Sequence, residues 1–153
     1  MNNTDCIIQH AERHCKDHGT RLTEKRKQVL AGLIQSDMAL SAYELIAVVK
    51  KKYNEDIAAM SVYRILAFLE SEKLVHKLNL ANKYVACEHI SCDHAHGVPQ
   101  FLICGKCSKV KEISVKPTTI AELQATVDEA GFTLITPQFE MNCMCVDCLA
   151  HAT

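Results

Sequence analysis

Two Cys-x-x-Cys pairs constrain this chain more than any other feature: Cys104-Gly105-Lys106-Cys107 and Cys145-Val146-Asp147-Cys148. Each pair can grip one side of a tetrahedral Zn²⁺ through thiolates at about 2.3 Å, and two pairs complete a closed structural site. A thioredoxin-type redox centre needs only one such pair, at the start of a helix. Here Phe101-Leu102-Ile103 reads as a strand entering the first pair and Lys109 to Ile113 as a strand leaving it, the outline of a zinc knuckle. The chain holds nine cysteines and eight histidines in 153 residues. An odd number of thiols cannot pair fully, and the amino terminus, Met1-Asn2-Asn3-Thr4-Asp5, lacks a basic n-region. No apolar run approaches the roughly 20 residues that span a bilayer. A reducing cytoplasm without a membrane partner is the expectation, and there metal ligation explains the cysteines better than disulfides.

The thiols are unevenly spread, with only Cys6 and Cys15 before residue 80. Charge follows the same division: the residues up to Leu80 carry a balance of +2 and the remainder −3. Neither half is basic enough to argue for nucleic acid by charge alone. At 48% hydrophobic and 23% charged, the composition excludes wholesale disorder. Two modules are expected, 1–83 and 84–153, with a hinge at about 78–84.

The first module reads as helices followed by a hairpin. Ile7, Ile8, Ala11 and Cys15 recur at helical spacing before Gly19, a stop. Thr23 is placed to cap a second helix with the stripe Val29, Leu30, Leu33 and Ile34. Ser41 and Glu44 have capping-box spacing ahead of a third. Ser61 is expected to cap a fourth helix reaching Ser71, with Val62, Ile65, Leu66 and Leu69 on its apolar face. Leu74 to Leu78 and Lys83 to Ala86 then form short strands about a turn at Asn79 to Asn82. This is the outline of a winged helix-turn-helix, in which the last helix enters the major groove of DNA. Tyr63 and Arg64, near the start of that helix, are the polar side chains best placed to meet phosphates and base edges. A solvated arginine and a half-buried tyrosine are the bland alternatives.

In the second module Thr119 and Glu122 again have capping-box spacing, with Ile120, Leu123 and Val127 as the apolar face and Gly131 as the stop. Phe132 to Ile135 and Gln138 to Met141 read as strands, giving a strand-strand-helix-strand unit. At roughly 70 residues its core is small, and metal staples are how such units reach stability. Cys143 is either a spare thiol or a substitute for Cys145. A second ligand group then remains: His76, Cys87, His89, Cys92, His94, His96 and Glu112. One thiolate, two imidazoles and one carboxylate would suit tetrahedral Zn²⁺.

With these residues laid out, the chain resembles the ferric uptake regulator family, and within it the zinc-sensing members. The resemblance runs from Arg21-Leu22-Thr23 with Arg26, through Ser41-Ala42-Tyr43-Glu44-Leu45, to Cys148. Its most specific pieces are Ser61-Val62-Tyr63-Arg64, against the family's T-V-Y-R, and Leu74-Val75-His76-Lys77. Tyr84-Val85-Ala86-Cys87, Phe101-Leu102-Ile103-Cys104 and Val110-Lys111-Glu112 follow in order. What it implies is an α+β homodimer: an N-terminal winged helix contacting operator DNA through Ser61, Tyr63 and Arg64, and a C-terminal dimerisation domain. It also implies a structural zinc on Cys104, Cys107, Cys145 and Cys148, and a regulatory zinc on His76, Cys87, His96 and Glu112. The Cys87 to Cys104 segment is longer than the family pattern, so His94 is the substitute third ligand.

The function expected is therefore a zinc-responsive repressor of zinc uptake genes, with one structural and one regulatory zinc per protomer and no small-molecule substrate. A sister sensor for iron, manganese or peroxide would differ at the second site, where the soft thiolate of Cys87 argues for zinc. A zinc enzyme would need an open coordination position and a general base, and no H-E-x-x-H motif appears. A structural zinc-ribbon adaptor would have no use for the second ligand group.

Overall fold

A computed structural model describes residues 3–36, 38–88, 90, 99–135 and 138–151. The architecture is α+β, in two compact units, Met1–Cys92 and Asp93–Thr153. No helix among the described residues is long and apolar enough to cross a membrane.

Unit 1 contains α1 (Asn3–Asp17), α2 (Glu24–Gln35), α3 (Ala42–Tyr53) and α4 (Ala59–Ser71), then β1 (Val75–Leu78) and β2 (Lys83–Ala86). Thr23 caps α2 by accepting from the Arg26 amide. Ser41 and Glu44 form the complete reciprocal box at the start of α3. The apolar stripes meet in one core that includes Val29, Leu30, Leu45, Val62, Leu66 and Leu69. Where α2 crosses α3, a Cβ on Gly32 would stand 3.3 Å from Val48 Cγ1, so the helices approach more closely than a larger residue allows. Antiparallel β1 and β2 pair from Val75↔Ala86 to Leu78↔Lys83. Leu40 extends that hairpin through an isolated bridge to Tyr84, with hydrogen bonds of 2.8 and 3.0 Å.

Unit 2 contains β3 (Pro99–Cys104), β4 (Val110–Ser114), α5 (Pro117–Glu129), β5 (Phe139–Cys143) and α6 (Val146–Ala150). Its sheet runs β4-β3-β5, with β3 antiparallel to β4 and parallel to β5. The central strand is the buried one, with Gln100, Phe101, Ile103 and Cys104 all withdrawn from solvent. Gln100 Oε1 accepts from the Phe139 amide, joining the start of β5 to β3.

The ladder between β1 and β2 keeps the whole hairpin in unit 1. Three expectations are corrected. Ser61 does not cap α4: the helix begins three residues earlier, after Ala58, which provides no side-chain cap. Thr119 does not cap α5 either, because Pro117 at the first helical positions starts it after Lys116. Phe132 to Ile135 form no strand; Phe132 is 73% and Ile135 90% exposed, and β-propensity without a neighbouring edge builds no ladder.

Candidate metal centres and nucleic-acid interface

The two Cys-x-x-Cys pairs converge. Cys104 ends β3, and a turn through Gly105, Lys106 and Cys107, closed by Ser108 at φ +65°, returns the chain toward β4. Cys145 sits at the N-cap of α6 and Cys148 one turn into it, so the first helical turn brings both thiols to one side. All four sulfurs lie within 4.8 Å of one another. Cys107 Sγ and Cys145 Sγ are 3.8 Å apart. That matches the edge of a tetrahedron with Zn–S bonds of about 2.3 Å, which is about 3.8 Å. The residues present fit a closed zinc centre.

Electrostatics at the quartet favour a cation. Backbone N–H groups of Cys107, Cys145 and Lys106 aim at Cys104 and bring its thiol down to about 6. Cys148 is pushed up to about 12, first by a hydrogen bond with Cys145 that favours its protonated form and then by burial. Four sulfurs this close share anionic charge unevenly, and a divalent cation is what lets all of them ionise. Lys109 Nζ reaches Asp147 Oδ2 at 3.4 Å, adding an exposed tie between the β4 side of the knuckle and α6. Cys143 lies outside the quartet, exposed at the end of β5. Cys15 is buried in the unit 1 core, and burial pushes its thiol up, which keeps it protonated and inert.

The second ligand group is distributed over both units. His76 is on β1 and Cys87 just beyond β2, with the Cys87 amide donating to the Leu74 carbonyl at 2.9 Å. The hairpin register brings their ligand atoms within 4.8 Å of each other. Glu112 is a buried carboxylate on β4 of unit 2. His89, Cys92, His94 and His96 lie outside the described residues.

On α4 the buried face carries Val62, Ile65, Leu66 and Leu69, and the opposite face exposes Ser61, Tyr63 and Arg64. Tyr63 is 43% exposed. With Ala58 as its N-cap, α4 has no side-chain cap on its first-turn amides. The model of the ferric uptake regulator family matches residues 17–142.

The chain belongs to the ferric uptake regulator family.

Among relatives, the zinc uptake regulation protein of Escherichia coli (strain K12) is 31% identical over 147 residues, or 95% of this chain and 83% of that protein. Among solved structures, a zinc uptake regulator complexed with zinc and DNA superimposes with a TM-score of 0.85 at 28% identity, over 99% of each chain. A holo XcZur structure gives a TM-score of 0.76 at 33% identity, over 94% of this chain and 96% of that one. One grouping was not anticipated from the sequence: His14, His18 and Glu72, whose ligand atoms also lie within 4.8 Å of one another. The i, i+4 spacing of the two histidines was the available signal. Glu72, on another helix end, gave none.

Proposed function

We propose that this member of the ferric uptake regulator family is a cytoplasmic, zinc-responsive transcriptional repressor that binds operator DNA as a homodimer and catalyses no reaction. The observation that carries this reading is the likeness, over 99% of both chains, to a zinc uptake regulator complexed with zinc and DNA. The exposed Ser61, Tyr63 and Arg64 support the DNA contact. Arg64 would reach base edges, Tyr63 would donate to phosphate, and Ser61 would contact the backbone near the helix start. The dimer is supported by unit 2, where α5 buries none of its residues and Leu123, Phe132, Ile135, Val146 and Leu149 are all exposed. Joined in one patch, these side chains would suit an interface.

Cys104, Cys107, Cys145 and Cys148 would hold the structural zinc. His76, Cys87, His96 and Glu112 would hold the regulatory one, with His94 the substitute for His96. Bound zinc supplies a divalent charge that keeps these thiolates and the carboxylate ionised together. The adjacency of His76 and Cys87 and the burial of Glu112 support that ligand set. Zinc occupancy and operator affinity would be linked, and a coupling of about 1–3 kcal/mol changes affinity roughly 5- to 150-fold. The thiolate favours zinc over harder-seeking ions such as manganese.

The test is operator binding across a buffered free-zinc series. Wild type should gain affinity with zinc. Cys87→Ser should remain a folded dimer with its structural zinc but show no zinc-dependent gain. Arg64→Ala should lose about 1–3 kcal/mol on operator DNA and relax base preference at one position. Wild-type-like zinc activation in Cys87→Ser would overturn the regulatory assignment.

A further inference from the structure

We infer that unit 1 contains a thiolate-free metal site of its own, built from His14, His18 and Glu72. It does not depend on the regulatory site proposed above. His14 and His18 are one turn apart at the end of α1, and the His18 amide still donates to the His14 carbonyl at 3.2 Å, so both imidazoles stay on one face. Their ring centroids are 4.3 Å apart at 80°. Glu72 is the C-cap of α4, fixed by its own amide donating to the Phe68 carbonyl at 3.0 Å. Lys73 follows at φ +61°, and the Leu74 amide closes the turn on the Leu69 carbonyl at 2.9 Å.

That backbone aims the Glu72 carboxylate, only 11% exposed, at the two rings. Oε2 lies 3.4 Å from His18 Nδ1 and 3.7 Å from His14 Nε2. The Thr20 hydroxyl is 3.1 Å from Oε1, which orients the carboxylate as an outer-shell partner orients a metal ligand. The His18 separation of 3.4 Å matches the ligand spacing of a tetrahedral ion, and the His14 separation of 3.7 Å lies slightly beyond it. A charge-assisted histidine–carboxylate hydrogen bond would close to about 2.7–2.9 Å. Tetrahedral zinc, with bonds of about 2.0–2.2 Å to nitrogen and oxygen, holds its ligands about 3.3–3.5 Å apart.

Two imidazoles and a carboxylate form a borderline donor set suited to Zn²⁺, Co²⁺ or Ni²⁺, with a fourth position for water. His18, 56% exposed, gives the ion a route in from solvent. His14 Nε2–H donates to the Glu72 carbonyl at 2.9 Å, so ligation through Nε2 exchanges that hydrogen bond for the ion and moves the ring proton to Nδ1. An ion here would pin the end of α1 to the end of α4, the helix that presents Tyr63 and Arg64.

Cobalt titration of the full-length protein tests this, because Co²⁺ on a thiolate gives sulfur-to-metal charge-transfer absorption and Co²⁺ on this trio gives ligand-field bands alone. Wild type should take up one equivalent of the second kind. His18→Ala and Glu72→Gln should each lose that equivalent and keep the thiolate-bound ones. Glu72→Gln preserves side-chain shape, so loss of binding there is separable from loss of fold, read by circular dichroism. Equal cobalt uptake by wild type and both variants, with the same spectra, would overturn the site and leave the trio as a purely structural contact between α1 and the end of α4.

Discussion

Arg26 and Arg64 show how little residue type alone decides. Arg26 stacks over the ring of Phe68, 3.7 Å from its centroid, while its Nη1 donates to the Arg21 carbonyl at 2.6 Å. It therefore joins α2 to the outer side of α4 and to the turn preceding α2. Arg64, three residues into the exposed face of α4, makes no such commitment to the core. Arg26→Ala should lower unfolding free energy by about 1–2 kcal/mol, read as a shift in urea midpoint at unchanged slope. Arg64→Ala should leave that midpoint within about 0.5 kcal/mol of wild type. Both arginines belong to the motifs by which the family resemblance was recognised. Only the packing of Phe68 separates the structural one from the exposed one.

At the level of elements, the start of α3 does two jobs. Glu44 Oε1 accepts from the Ser41 amide at 3.1 Å and also meets Lys83 Nζ on β2 at 3.1 Å, so the capping box tethers the hairpin. The Ser41 amide, followed by Lys83 and Ser41 side-chain contacts, holds the Glu44 carboxyl below its usual range. A depressed folded value means stability that is fully present above the unfolded value, about 4.3, and lost as pH falls through the folded one. Glu44→Gln should therefore be less stable than wild type at neutral pH, and the gap should close below about pH 4, measured by denaturant midpoints across pH. The S-x-x-E spacing at Ser41 was legible because a complete box is a local event. The same spacing at Thr119 misled because Pro117 starts α5 earlier, and Ser61 misled because the helix start rests on Ala58. Phe132 to Ile135 misled for a different reason: alternation reports which residues favour a strand, and says nothing about whether an edge is free to receive one. The cysteine quartet was legible because spacing along the chain is part of the ligand geometry. Contacts such as Leu40 with Tyr84, or His14 with Glu72, join segments whose separation carries no pattern.

For the whole molecule, the division into units predicts separable stabilities. The unit 1 core draws only on residues 8 to 90 and contains none of the quartet. Unit 2 rests on a thin sheet and the cysteine quartet, and a structural zinc bound there would contribute an apparent binding energy of about 10–16 kcal/mol, comparable with the entire stability of a typical domain. Strong chelation, or Cys148→Ser, should therefore abolish hydrogen-exchange protection in β3 and β5 while leaving α2 to α4 protected, read by exchange mass spectrometry. Retained protection in β3 after removal of zinc would show that the sheet stands without its staple. The order of the quartet along the chain also has a consequence during synthesis. At about 5–20 residues per second, the second thiol pair follows the first by about 2–8 s. Through that interval the nascent polypeptide can already assemble its helices, whereas β3 has neither β5 beside it nor the sulfurs that complete its knuckle. Cys104 and Cys107 leave the ribosome as an exposed dithiol. For those seconds the unfinished chain depends on the redox state of its surroundings before its quartet can hold any metal at all.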